Sequence, residues 1–160
     1  MTQFIPKRYL PAQLSEKDRL RQKQGIQKSR RLYRQGIYVP RPQVTFKSKP
    51  SRHIARAKAL YGVENILPTR ELAKATGCPL AVLKGIVKKG EGAYYSGGSR
   101  PNQTAQSWGI ARLASSLTGG NASKVDFHLL RKCNPTKKAY RYAIKPKYKS
   151  LSKKGIPKKD

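Results

Sequence analysis

A chain of 160 residues with 36 Lys and Arg against 7 Asp and Glu carries a formal charge of +29, and only 37% of it is hydrophobic. That length holds at most one ordinary domain, and the apolar fraction implies a compact core built from only part of it. The charge exceeds what solubility needs and opposes compaction by self-repulsion, so polyanionic or acidic surroundings are expected, nucleic acid being the commonest.

The N-terminal stretch MTQFIPKRYLPAQLSEKDR is polar within a few residues and has no secretory h-region, and no apolar run is long enough for a transmembrane segment. The sequons at Asn102 and Asn121 therefore have no expected use. Two cysteines, Cys78 and Cys133, are too few for a disulfide framework and suit a reducing compartment.

Residues 1–50 carry 13 Lys/Arg and 2 acids, and read as a basic arm. Ser15 and Asp18 form the outline of a capping box that opens a charged helix. This helix is expected to break near Gly25 and resume to Gln35 and Gly36. IYVPRPQVTFKSKPS, with Pro40, Pro42 and Pro50, should run extended, because each Pro pushes the residue before it away from the helical region. Such a segment becomes ordered only by lying on something. Arg30, Arg31, Arg34, Arg41, Lys47 and Lys49 are its candidate contacts to a partner or to nucleic acid.

Residues 51–130 read as a compact, mainly helical core. His53–Tyr61 has apolar residues at helical spacing. Thr69 opens a second helix behind Pro68, and Leu80–Lys89 forms a third behind Pro79. Thr104 can cap a fourth, Ala105–Leu117, with Ile110, Leu113, Ala114 and Leu117 as its core stripe, ended by Gly119-Gly120. Residues 124–130 fit either a short strand or a last helical turn. LAKATGCPLAVLKGIVKKG (72–90) resembles a helix-turn-helix pivoting on Gly77. Its second helix offers Leu80, Ala81, Lys84, Val87 and Lys88, without the Arg, Asn or Gln that read base edges, so Lys84 and Lys88 are candidates for backbone contact only.

From Arg131 to Lys159 there are 12 Lys/Arg and no acid. Pro135, Pro146 and Pro157 punctuate this tail, and Tyr140, Tyr142 and Tyr148 interleave with the basic residues. The composition fits either a strand or coil laid over phosphate or an acidic surface, or a solvated tail. Lys137, Lys138, Arg141, Lys145, Lys147 and Lys149 are the contacts expected here. The fold expected overall is mainly α, a small helical core with a helix-turn-helix-like unit flanked by extended basic arms at 1–50 and 131–160.

The stretch GEGAYYSGGSRPNQTAQSWGIARLASSLTGGNAS (90–123) differs from its surroundings. Gly92 to Ser99 matches the spacing of a phosphate-binding P-loop, except that Gly98 stands where the catalytic Lys is required, and no apolar strand leads in. Cys78, His128 and Asp126 could be written as a nucleophile set, but the plainer reading is a core thiol and a half-buried imidazole. Two Cys and two His show no short metal-ligand spacing. No catalytic residue, cofactor or metal is therefore expected. Gly92, Gly97, Gly98, Arg100, Asn102, Trp108 and Arg112 instead suggest a loop locked onto a helix, with Arg112 and Arg100 reaching around the Trp108 turn. The same residues could hold an anion, with two Arg and a helix N-terminus converging.

Lys88 to Gly120 carries the pattern KKG-x-GAYYS-x-GSRPNQT followed by SWG-x-ARLAS-x-x-TGG. It resembles the core signature of an uncharacterised family of small basic proteins of large DNA viruses of algae and amoebae, with shorter relatives in phages. KSRRLYRQGIYVPRP and FKSKPSRHIARAKALYGVENI resemble that family's upstream segment, so the likeness covers about residues 15–130. The resemblance implies a viral setting and no reaction. Joined to the composition, it leads to the expectation of a non-enzymatic virion component, a minor capsid protein cementing major capsid subunits and other minor capsid proteins on the inner face of the shell. Its location would be the virion, and the host cytoplasm or nucleus during assembly. The alternative is a nucleic-acid-binding protein packaged with, or acting on, the viral genome.

Overall fold

The computed structural model describes residues 4–153, with side chains described through Lys145. The expected contacts Lys147 and Lys149 and the residues 154–160 lie outside the described side chains. Among the described residues the regular structure is helical, with eight α-helices and no strand: α1 Glu16–Tyr33, α2 Arg52–Tyr61, α3 Arg70–Thr76, α4 Leu80–Ser96, α5 Ala105–Leu117, α6 Asn121–Val125, α7 Phe127–Leu130 and α8 Lys138–Lys153. The mainly α fold is as the sequence implies.

The chain does not divide into arm, core and tail. It forms two compact units, one from Met1–Pro50 with Lys89–Gly109 and one from Ser51–Lys88 with Ile110–Asp160. The 1–50 segment is thus partnered by the first part of the glycine-rich stretch, up to Gly109, and the 131–160 segment belongs to the second unit.

In the first unit the Ser15 hydroxyl accepts from the Asp18 amide and starts α1, as the capping outline implies. The helix does not break at Gly25. It runs on to Tyr33, and Gly25 is instead where another segment comes close: a Cβ there would stand 3.1 Å from the Pro42 ring. α1 ends in a Schellman turn, with the Ile37 amide donating to the Leu32 carbonyl and the Gly36 amide to that of Tyr33. Gly36 has φ +76°, the left-handed conformation this turn requires and glycine adopts without cost. Residues 37–50 form no helix. Their backbone is tied down: the Val44 amide and carbonyl both bond Asn102, and the Thr45 amide donates to Asp18.

The second unit holds the apolar core. Val82, Leu83, Ile86 and Val87 line one face of α4, and Leu113, Ala114 and Leu117 one face of α5. Leu83, Ile86, Leu113 and Leu117 are fully buried, each contributing about 1.5–3 kcal/mol relative to exposure. The α3–α4 turn is as expected, with Thr69 accepting from the Leu72 amide and Gly77 closing α3. Tyr61 donates its hydroxyl to the Leu117 carbonyl. Burial, reinforced by Tyr142, pushes this phenol above the ordinary tyrosine range. Residues 121–130 resolve into the short helices α6 and α7 rather than a strand.

Two features of this unit differ from the sequence reading. The tail is helical from Lys138 to Lys153, through Pro146. Ala139 and Ala143, one turn apart, are fully buried in the core, and α8 packs on α6 and α7. That burial outweighs the extended bias of a basic, proline-marked segment. Cys78 and Cys133 are joined by a disulfide with Cα atoms 4.2 Å apart, beside an Asn134 amide that donates to the Gly77 carbonyl at 2.8 Å. The pairing arises from the fold, which brings together residues 55 apart in sequence.

Candidate functional site

Residues 90–109 of the glycine-rich stretch lie in the first unit, but they do not form a phosphate loop. Gly92 is inside α4. α4 is extended past Lys89, where the sequence suggests its end, to Ser96. Gly97 and Gly98 close it by donating their amides to the Ala93 carbonyl. Gly98 takes φ +121°, and a Cβ there would meet Ile26 at 3.1 Å and Tyr9 at 3.3 Å. Both the backbone angle and the space therefore call for glycine.

The loop that follows is fastened by side chains from α1 and from the segment after it. Gln22, fully buried, donates one amide group to the carbonyls of Tyr9 and Ser99. Ser29 donates to the Tyr95 carbonyl at 2.8 Å. Arg30 grips the Gly97 carbonyl through Nε and Nη2 at 2.9 and 2.7 Å, and also bonds the Phe4 carbonyl.

Arg41 is the centre of the arrangement. Its Nη1 donates to the Tyr94 carbonyl at 2.7 Å and to Ser29 Oγ, its Nη2 to Ser99 Oγ at 2.7 Å, and its guanidinium lies 3.6 Å from the centre of the Tyr94 ring. Burial pulls its pKa below the usual arginine value, with Tyr94 and Tyr9 acting in the opposite direction. A guanidinium remains charged under such conditions.

On the far side of the loop, Asn102, at φ +61°, bonds both backbone groups of Val44 and the carbonyl of Phe46. Thr104 and Ser107 cap α5 reciprocally, each hydroxyl accepting from the other's amide. Trp108 meets Tyr9 edge-on at 5.8 Å.

The sequence suggests a lock made by Arg100, Trp108 and Arg112. Of these, Trp108 is in the first unit's packing, and Gly97, Gly98 and Asn102 take the loop positions foreseen. Arg100 is exposed. Arg112 does not serve the loop. In the second unit it forms a two-point ion pair with the fully buried Asp126, Nη2–Oδ1 2.7 Å and Nε–Oδ2 3.0 Å, and Ser116 adds a third bond to that carboxylate. A buried carboxylate demands such a partner. The arginines that do hold the loop, Arg30 and Arg41, read from sequence alone as partner contacts. The available signal was the Pro-Arg-Pro context of Arg41, which fixes its backbone in an extended run.

Arg41 also borders an open groove of about 650 Å³ with Glu91, Tyr94, Tyr95, Gln103 and Thr104. An anion there would face the Glu91 carboxyl and an arginine that already donates three hydrogen bonds within the unit, so the geometry fits a lock better than an anion site. Among the described residues every buried side-chain N and O atom has a hydrogen-bond partner. Cys78 is in the disulfide, Asp126 in its ion pair, and exposed His128 has Nδ1 3.2 Å from the Val125 carbonyl, so these three do not assemble a nucleophile set. No group of three metal-ligating side chains occurs among the described residues.

The other named cations point outward. Arg31, Arg34, Lys47 and Lys49 are exposed in the first unit. In the second, Lys84 and Lys88 stand one turn apart on α4, and Lys137, Lys138, Arg141 and Lys145 lie on the exposed side of the α8 region. No described helix is long and apolar enough to cross a membrane.

These features define a helical, cation-rich protein whose signature stretch is a built structural element. The chain belongs to a family of unknown function, DUF5824, whose model matches residues 6–137. No curated protein and no solved structure matches it.

Proposed function

We propose that this chain is a non-enzymatic structural component of a large DNA virus particle, a minor capsid protein on the inner face of the shell. It bridges major capsid subunits and other minor capsid proteins and turns its basic surface toward DNA or acidic protein. The viral setting rests on the resemblance of residues 88–120 to the small basic proteins of such viruses. The observation that carries the structural role is the division of the cations. Arg30, Arg41 and Arg112 face inward as ties, whereas the cations of α4 and α8 face solvent. With 36 Lys and Arg against 7 acids, the chain carries an excess of 29 positive charges. Such a surface is suited to an assembly that supplies the opposite charge.

The exposed face of α8 favours a second reading, a protein packaged on the genome. Basic residues spaced along one helix face fit phosphates without reading bases. One experiment separates the two: quantitative proteomics of purified particles, with shell and genome-containing core resolved. Fixed stoichiometry with the major capsid protein in the shell fraction is expected. Partition with the core would transfer the protein to the second reading, and absence from particles would overturn both.

A further inference from the structure

A row of tyrosines in the first unit leads outward from the loop lock, and its outer end, Tyr38, is not used by the lock. The Schellman turn at Gly36 folds the chain back after α1, so that Tyr38 returns onto Tyr33, with ring centres 5.6 Å apart. Tyr38 also lies against Tyr95, at 5.2 Å and an interplanar angle of 33°. Tyr95 meets Tyr94 edge-on at 5.0 Å, and Tyr94 carries the Arg41 guanidinium on its face. The row thus begins in the buried lock and ends at the surface. Its last member is held in place yet open: Tyr38 is 63% exposed, and its neighbour Ile37 46%.

Phe4 is more exposed, at 71%, but Tyr38 is an exposed ring braced by two others, and such a ring loses little further conformational freedom when something stacks on it. Arg31 and Arg34, both exposed, belong to the last turn and C-cap of α1, a few residues from Tyr38 in sequence. An exposed aromatic face with adjoining cations is the combination that binds unpaired bases: the ring stacks on the base and the cations take the phosphates. Duplex DNA presents no free base face to such a ring.

We infer that Tyr38, braced by Tyr33 and Tyr95 and followed back along the chain by the exposed Arg34 and Arg31, is a stacking platform for single-stranded nucleic acid. The inference stands on the first unit alone and does not require the virion role. It adds to the general attraction of a basic surface a preference for strands with exposed bases.

The test is fluorescence anisotropy of the full chain with a labelled oligothymidylate and with a labelled duplex of equal length. Wild type, Tyr38→Ala, Tyr38→Phe and Arg34→Gln would be compared at several salt concentrations. Tyr38→Ala is expected to weaken single-strand binding about ten-fold, leaving duplex binding and the salt slope unchanged, because no charge is lost. Tyr38→Phe should bind as wild type, since it keeps the ring. Arg34→Gln should lower the salt slope for the oligothymidylate. Upfield shifts of the Tyr38 ring protons on adding oligothymidylate would report the stack directly, without a variant. Equal single-strand affinity in wild type and Tyr38→Ala would overturn the assignment, as would equal losses on single strand and duplex. Loss of affinity only for an acidic protein partner would overturn it too.

Discussion

Arg41 is the side chain on which the first unit converges, and its surroundings set the cost of losing it. Arg41→Ala would leave the Tyr94 carbonyl and the Ser29 and Ser99 hydroxyls without their donor and uncover the Tyr94 ring. Charge-assisted bonds of this kind, with a desolvated cation–π contact, contribute about 3 kcal/mol together. Arg41→Lys should recover less than half, because an ammonium cannot fork to two hydroxyls while lying flat on a ring. Arg100→Ala, at an exposed side chain, should change stability by less than about 0.5 kcal/mol. Trp108 lies in the same unit and is the only Trp in the chain, so urea unfolding followed by its fluorescence measures all three. At this scale the sequence showed which residues were charged but not which way they pointed. Arg112 shared a helix face with Trp108 by spacing, yet a buried carboxylate 14 positions on decided its direction.

Elements were legible where their causes are local. Ser15, Thr69 and Thr104 each cap the helix that follows, and the Ile110–Leu117 stripe marks the buried side of α5. What depended on distant neighbours was not legible. Gly25 looks like a helix break, and its cause is Pro42 pressed against α1. The tail looks extended, and Ala139 and Ala143 become a buried stripe only because the second unit supplies a core. The Cys78–Cys133 bond is the same kind of feature, since it ties the α3–α4 turn to the residues just before α8. Closing a loop across a separation of 55 residues stabilises by about 4 kcal/mol in the chain-entropy account. Reduction, or Cys133→Ala, should therefore lower the thermal midpoint while far-UV circular dichroism at room temperature stays helical. Unchanged midpoints with and without reductant would mean that the bond does not form in the purified chain.

For the whole molecule, composition points to a polyanion or an acidic surface as the partner to test. The structure adds which cations are available to meet it. Inward arginines tie each unit internally, and the exposed cations Lys84 and Lys88 on α4 and Lys138, Arg141 and Lys145 on α8 are the ones the proposed contact would use. The salt dependence of duplex binding tests this division most directly. A variant with Lys84, Lys88, Lys138, Arg141 and Lys145 all changed to Gln should lose about 4.5 from the magnitude of the log–log slope, at roughly 0.9 per phosphate contact, and keep the thermal midpoint of wild type. Arg30→Gln with Arg41→Gln should do the reverse, lowering the midpoint and leaving the slope near that of wild type. An unchanged slope in the five-site variant, or a slope set by Arg30 and Arg41 instead, would contradict the division of inward ties from outward contacts.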